Sequence, residues 1–152
     1  MEKQWIYYIL NDDELLRISN RIKQAEKTTA GEISVSIKEH RTFFQKRKSV
    51  SALAEEEFFK LGIDKTRDNT GILIFILLES RQFYILADKG INEKVETKTW
   101  DLIKDQMQKM FLKGNFSKGI IHGVEEVGKI LSKHFPIKPD DTNELSNRVI
   151  IE

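Results

Sequence analysis

Apolar residues along this chain change period several times, and each change marks an element. Asn11-Asp12-Asp13-Glu14 sets a capping side chain ahead of three acids, a helix start, and Leu15, Ile18, Ile22 and Ala25 then recur at helical spacing. Thr28-Thr29-Ala30-Gly31 stops that helix. Residues 32–37 alternate, with Glu32, Ser34 and Ser36 against Ile33, Val35 and Ile37, the pattern of a strand with one covered face. A basic loop at 40–49 precedes a second helix, capped by Ser49 or Ser51, in which Leu53, Ala54, Glu57, Phe58 and Leu61 lead to a stop at Gly62.

Residues 72–78 are apolar at every position, which predicts a central strand covered on both faces. Glu79-Ser80-Arg81 turns the chain into a further strand, 82–87, ending at Asp88-Lys89-Gly90. Two helices follow. One carries Trp100, Ile103, Met107, Met110 and Phe111 to a stop at Gly114; the other carries Ile120, Val124, Val127 and Leu131. Gly119 and Gly123, one turn apart, allow a neighbouring helix to approach closely, and Trp100, Met107 and Met110 read as core. Both prolines, Pro136 and Pro139, lie beyond, opening a tail that ends in Val149-Ile150-Ile151.

The order helix, strand, helix, strand, strand, helix, helix predicts an α/β fold, a mixed β-sheet flanked by helices on both faces (an α/β/α sandwich). We expect one domain over 1–135 and a tail, 136–152, packed back on it. The strand–helix–strand crossover should be parallel and right-handed, and the last two strands a hairpin. That topology gathers the starts of the first two strands and the end of the third at one end of the sheet. Asp68, Asn69 and Asp88 meet there, joined by Glu32, with Glu26 one helical turn back.

Composition narrows the function classes. With 25 basic and 24 acidic residues in 152, net charge is +1, which offers no field for gripping a polyanion, so no nucleic-acid partner is expected. The absence of cysteine excludes disulfides, thiolate metal sites and thiol nucleophiles. The apolar run at 5–10 is too short for a signal-peptide core and no window approaches a membrane span, so the expectation is a cytoplasmic monomer with no membrane partner.

Glu26-x-x-Thr29-x-Gly31-Glu32-Ile33, Asp68-Asn69-Thr70-Gly71-Ile72-Leu73 and Asp88-Lys89-Gly90-Ile91, in that order and spacing, resemble a TPM domain. Trp100, Phe116-x-x-Gly119, and His134-Phe135-Pro136 with the acidic stretch Asp140-Asp141-Thr142-Asn143-Glu144 are similar to the small stand-alone bacterial branch of that family. The likeness spans roughly residues 8–147. It implies an α/β sandwich, association with divalent cations (calcium in particular) and, for some members, notably in chloroplasts, acid phosphatase activity and photosystem repair. Many members carry a signal peptide and a membrane anchor, which this chain does not show. Anchored members often read Asp-Asn-Gly before the central strand, where this chain places Thr70 between Asn69 and Gly71.

Two readings of the acids compete. In one, Asp68, Asn69, Asp88 and Glu32, with Glu26 behind them, hold Ca²⁺ or Mg²⁺ through carboxylate, amide and backbone oxygens, with modest affinity because few carboxylates converge. In the other, Asp-Asn makes a turn and Asp88 caps a short helix. Residue types alone favour the second; the resemblance tips the balance to the first. A metal-dependent phosphatase using the same carboxylates is an alternative, although the chain has no Gly-x-Ser-x-Gly elbow, P-loop or Asp-x-Asp-x-Thr signature. A protein-interaction module, docking through the tail or the 40–49 loop, is another. His40, His122 and His134 lack metal-ligand spacing. The acids at 140–144 could add oxygen ligands, though a cap or turn is the simpler role. Arg41-Thr42-Phe43-Phe44-Gln45-Lys46-Arg47-Lys48 interleaves aromatics with cations, as single-strand binders do, but reads first as a solvated loop whose phenylalanines tuck beneath it.

Overall fold

A computed structural model describes residues 6–137 and 149–152. In chain order the elements are α1 (Ile6–Ile9), α2 (Asp12–Glu26), β1 (Glu32–Lys38), a 3₁₀ turn at Phe43–Gln45, α3 (Val50–Lys60), a second 3₁₀ turn at Ile63–Lys65, β2 (Gly71–Leu77), β3 (Gln82–Ala87), α4 (Lys89–Asn92), α5 (Thr97–Leu112), α6 (Phe116–His134) and β4 (Ile150–Ile151). The sheet order is β3-β2-β1-β4, with β1 parallel to β2 and β4, and β3 antiparallel to β2. The expected mixed α/β architecture is therefore present.

Local signals account for most boundaries. Asn11 and Glu14 form a reciprocal capping box at the start of α2, the Asn11 Oδ1 accepting from Glu14 N–H at 2.8 Å and Glu14 Oε1 from Asn11 N–H at 3.1 Å. Ser49 caps α3 by accepting from Ala52 N–H at 3.2 Å. Every residue of β2 is buried. Ile72, Ile74 and Ile76 face a core built with α2, α5 and α6; Leu73, Phe75 and Leu77 face a smaller one against Leu53, Ala54 and Phe58 of α3. One face thus carries several helices and the other carries α3. No helix among the described residues is long and apolar enough to cross a membrane.

The glycines of α6 do what their spacing implies. A Cβ at Gly119 would stand 3.1 Å from the Met107 carbonyl oxygen, and one at Gly123 would overlap the Met107 Sδ. Met107 is fully buried, so α5 reaches α6 only because that face is bare. Gly128 meets Ala25 of α2 in the same way, at 2.9 Å.

The end of the described chain completes the sheet. Ile150 and Ile151 pair with Ser36 and Ile37, and Glu152 then reaches Lys60 and Glu57 of α3. Ser36 donates to Glu57 Oε2 at 2.7 Å. Burial first, and then the hydrogen bond with Glu152, push the Glu57 carboxyl up to about 7, with Ser36 partly offsetting them. Glu152, despite its own partial burial, is held below the usual carboxylate range by hydrogen bonds with Glu57 and Lys60. Of the two, Glu57 is therefore the one that takes up a proton first as pH falls. The acidic stretch at 140–144 lies outside the described residues.

Two measurements follow from this packing. Gly123→Ala should cost about 1–3 kcal/mol by overpacking and Met107→Ala about 2–5 kcal/mol by cavity formation. In urea melts the double variant should lose less than their sum, because the new methyl enters the vacated space. Glu57 has a folded pKa above its ordinary 4.5, so its stabilising contribution is present below 4.5 and is lost as pH rises through about 7. Glu57→Gln should flatten the decline in melting temperature across that window; an unchanged slope would show that the proton sits elsewhere.

Candidate functional site

The site is the sheet end where β1 and β2 begin and β3 finishes. Glu32 pairs with Gly71, and Ile72 with Ala87, so Glu32, Gly71 and Asp88 stand side by side on three strands. Glu32 N–H donates to Thr70 O at 3.0 Å and Asp88 N–H to Gly71 O at 2.9 Å, extending the ladder one step past the regular strands.

The loop ahead of β2 is tightly built. Asn69 adopts a left-handed conformation, φ +56°, as a turn asparagine can. Asn69 N–H donates to Thr66 O at 3.3 Å and Thr70 N–H to Thr66 Oγ1 at 3.1 Å. This turn aims the carbonyls of Asp68 and Asn69 at Gly90, where an added Cβ would lie 2.5 Å from each oxygen. A side chain at 90 would force the two loops apart. Gly71 is equally confined, its Cβ position 2.8 Å from the Ile63 carbonyl oxygen.

Asp88 is the N-cap of α4, its Oδ1 accepting from Lys89 N–H at 2.8 Å. The capping role expected of it is present. Its second oxygen, Oδ2, is buried with no hydrogen-bond partner among the described residues. Asp64 Oδ1, in the 3₁₀ turn ahead of the same loop, is in the same position. Pattern reading missed Asp64, which looks like an ordinary turn acid. The signal that could have found it is its place four residues before Asp68, in the segment that must close over the start of β2.

The five predicted residues divide. Asp68, Asn69 and Asp88 come together around Gly90. Asp68 is exposed, 3.4 Å from the Arg67 Nε, and borders a cavity of about 350 Å³ that Thr70, Glu93, Lys94, His134 and Phe135 also line. Glu32 is buried at the same end, two strand spacings (about 10 Å) from Asp88 along the sheet. Glu26 lies on the other side of β1, where its Oε2 accepts from Ile33 N–H at 2.8 Å. That amide points away from β2, toward an edge that β4 covers only at Ser36 and Ile37. Burial first, and then the neighbouring Glu32 charge, push the Glu26 carboxyl up to about 7 against the favourable Ile33 bond. Among the described residues, no three His, Asp or Glu side chains gather closely enough to hold one metal ion.

Thr29, Ala30 and Gly31 fasten the end of α6 here. Thr29 Oγ1 donates to Phe135 O at 2.5 Å, Ala30 N–H to the same oxygen at 2.8 Å, and Gly31 leaves room for Leu131, whose Cδ1 would be 2.9 Å from a Cβ there. Lys94 Nζ sits 4.8 Å over the Phe135 ring at the cavity wall. His122 is engaged elsewhere, with Gln106 at 2.8 Å.

Comparison with known proteins gives the family and the fold. The chain is similar to the BA42 protein of the psychrophilic bacterium Bizionia argentinensis, known from an NMR structure: identity is 34%, TM-score 0.85, and the match covers 100% of this chain and 99% of that one. The N-terminal domain of a P. gingivalis protein, also solved by NMR, shares the fold at 19% identity and a TM-score of 0.69, over 84% of this chain and 79% of that one. No curated protein matches. The sequence profile of the TPM domain matches residues 8–130, and the chain belongs to the TPM domain family.

Proposed function

We propose that this TPM domain binds a divalent cation, Ca²⁺ with Mg²⁺ as its competitor, where the loop before β2 meets α4. The observation that carries the reading is the buried Asp88 Oδ2, which has no hydrogen-bond donor among the described residues and lies two residues from the glycine against which the Asp68 and Asn69 carbonyls pack. A buried carboxylate oxygen without a donor is costly unless a cation neutralises it. Carboxylate and carbonyl oxygens form the donor set a hard cation prefers. Asp88 and Asp68 would supply charge and the Asp68–Asn69 backbone further oxygens, with water completing the shell. Glu32 acts as a nearby negative charge. Glu26, already committed to Ile33 N–H, supports from behind and does not ligate. A bound ion would order residues 64–70 and 88–94 together, since Gly90 already locks the two loops.

The cavity beside Asp68 favours a second reading, a metal-dependent phosphatase on the same carboxylates. Lys94 and His134 on its wall suit an anionic phosphoryl group, and a cation there would polarise a phosphoryl oxygen.

Titrating ¹⁵N-labelled protein with Ca²⁺ and then Mg²⁺ should give saturable amide shifts confined to 68–71 and 88–90. Asp88→Asn keeps the helix cap, because Asn and Asp cap equally well, but removes the charge; it should weaken binding about tenfold or more with an unchanged melt. Scattered or absent shifts in the wild type would return these acids to turn and cap duty. For the second reading, p-nitrophenyl phosphate turnover that survives in Asp88→Asn would exclude these carboxylates as its source.

A further inference from the structure

The basic loop after β1 contradicts the expectation that its phenylalanines tuck inward. Phe43 is 75% exposed and Phe44 89%, and the two rings pack edge to face at 5.6 Å on the crest of the 3₁₀ turn. An apolar pair held in water needs a reason, and here the loop is pinned in that posture. Thr42 and Gln45 bond reciprocally, Thr42 N–H to Gln45 Oε1 at 3.1 Å and Gln45 N–H to Thr42 O at 2.9 Å. Gln45 Nε2 donates to Glu56 Oε2 at 2.8 Å. Arg41 donates through Nε to Lys48 O at 2.9 Å and through its guanidinium to Glu79 at 2.8 Å, while Lys48 pairs with Glu56. The base of the loop is thus cross-braced to α3 and to the β2–β3 turn, and the phenylalanines cannot fold under it without breaking those bonds.

Charge is sorted along the same axis. Residues 41–48 contain four basic residues and no acid. Arg41 and Lys48, at the base, are neutralised by Glu79 and Glu56. Lys46 and Arg47, beside the crest, are exposed, with Lys46 Nζ 4.9 Å over the Phe43 ring. A convex apolar tip flanked by outward cations matches an anionic bilayer surface, which takes aromatic rings at the headgroup boundary and attracts lysine and arginine beside them. Single-stranded nucleic acid fits less well: the Phe43 face is already covered by Lys46, and the two rings stand edge to face rather than as successive platforms.

We propose that the crest of this loop, Phe43 and Phe44 with Lys46 and Arg47, docks the domain peripherally on membranes rich in anionic phospholipid. Residue patterns offered this loop to a protein partner and led to the expectation of no membrane partner; the membrane reading departs from both and is independent of the cation site.

Co-sedimentation of the full chain with vesicles, in the presence of EDTA to exclude ion bridging, tests it. Vesicles of phosphatidylcholine mixed with phosphatidylglycerol should carry the protein down, and phosphatidylcholine alone should not. Raising the salt should release it. Phe43→Ser/Phe44→Ser should weaken binding at least about tenfold, as should Lys46→Glu/Arg47→Glu, both with melts like the wild type because these side chains are exposed. A wild type that stays in solution with the anionic vesicles, or that binds neutral vesicles equally well, would overturn the proposal. So would undiminished binding by the serine variant, or displacement of the protein from vesicles by oligouridylate, which would make the crest a single-strand platform.

Discussion

The structure depends on one constraint: β2 has no face toward water. Its seven residues, Gly71 to Leu77, are all buried, so the sheet must be covered on both sides and the strand must begin and end without leaving polar backbone stranded. Covering is divided between the α2/α5/α6 layer and α3. Finishing falls to the loops, and it demands close approaches: Ile63 onto Gly71 and the 68–69 carbonyls onto Gly90 at the start of β2, and Leu131 onto Gly31 at the start of β1 beside it. Gly31, Asp68, Asn69, Gly71 and Gly90, among the residues that carry the TPM resemblance, sit at these approaches. Much of the family likeness is therefore architecture before it is chemistry.

That overlap explains why the acids at this end resist a single role. Asp88 caps α4 with one oxygen and keeps the other buried without a donor. Glu26 substitutes for a missing strand partner along the edge of β1. Its raised pKa reflects that edge position and the neighbouring Glu32 rather than convergence on the Asp88 side. The acids are spread along the sheet end, and the close meeting is that of the Asp68 and Asn69 carbonyls with Gly90, two residues beyond Asp88.

What could be read from the residues was what depends on near neighbours. The Asn11–Glu14 box, the alternation through 32–37, the bare Gly119/Gly123 face and the two hairpin strands all follow from spacings shorter than a helix. The expected topology brings the loops of Asp68, Asn69 and Asp88, and Glu32 at the start of β1, to one sheet end. Residue patterns could not supply distances across that end, so Glu26 was grouped with acids from which β1 separates it. The exposed phenylalanines were misjudged for a related reason. Their posture is set by Arg41–Glu79 and Lys48–Glu56, pairs formed only after the fold brings α3 and the β2–β3 turn to the loop. Nor could two residues, Ile150 and Ile151, announce a strand by period.

The brevity of β4 has a kinetic meaning. The β2–β3 and α5–α6 pairs close short loops, β1 must wait for β2 across the whole of α3, and β4 meets β1 over almost the full chain. Two paired residues, the backbone bonds of Glu152 with Ile37 and Glu39, the packing of Val149 and Ile151 on the core, an ion pair with Lys60 and a hydrogen bond with Glu57 hold that last strand in place. The Glu152 amide, bonded to the Ile37 carbonyl, should accordingly exchange with solvent by local undocking, while the amides at the centre of β2 exchange only when the whole domain unfolds.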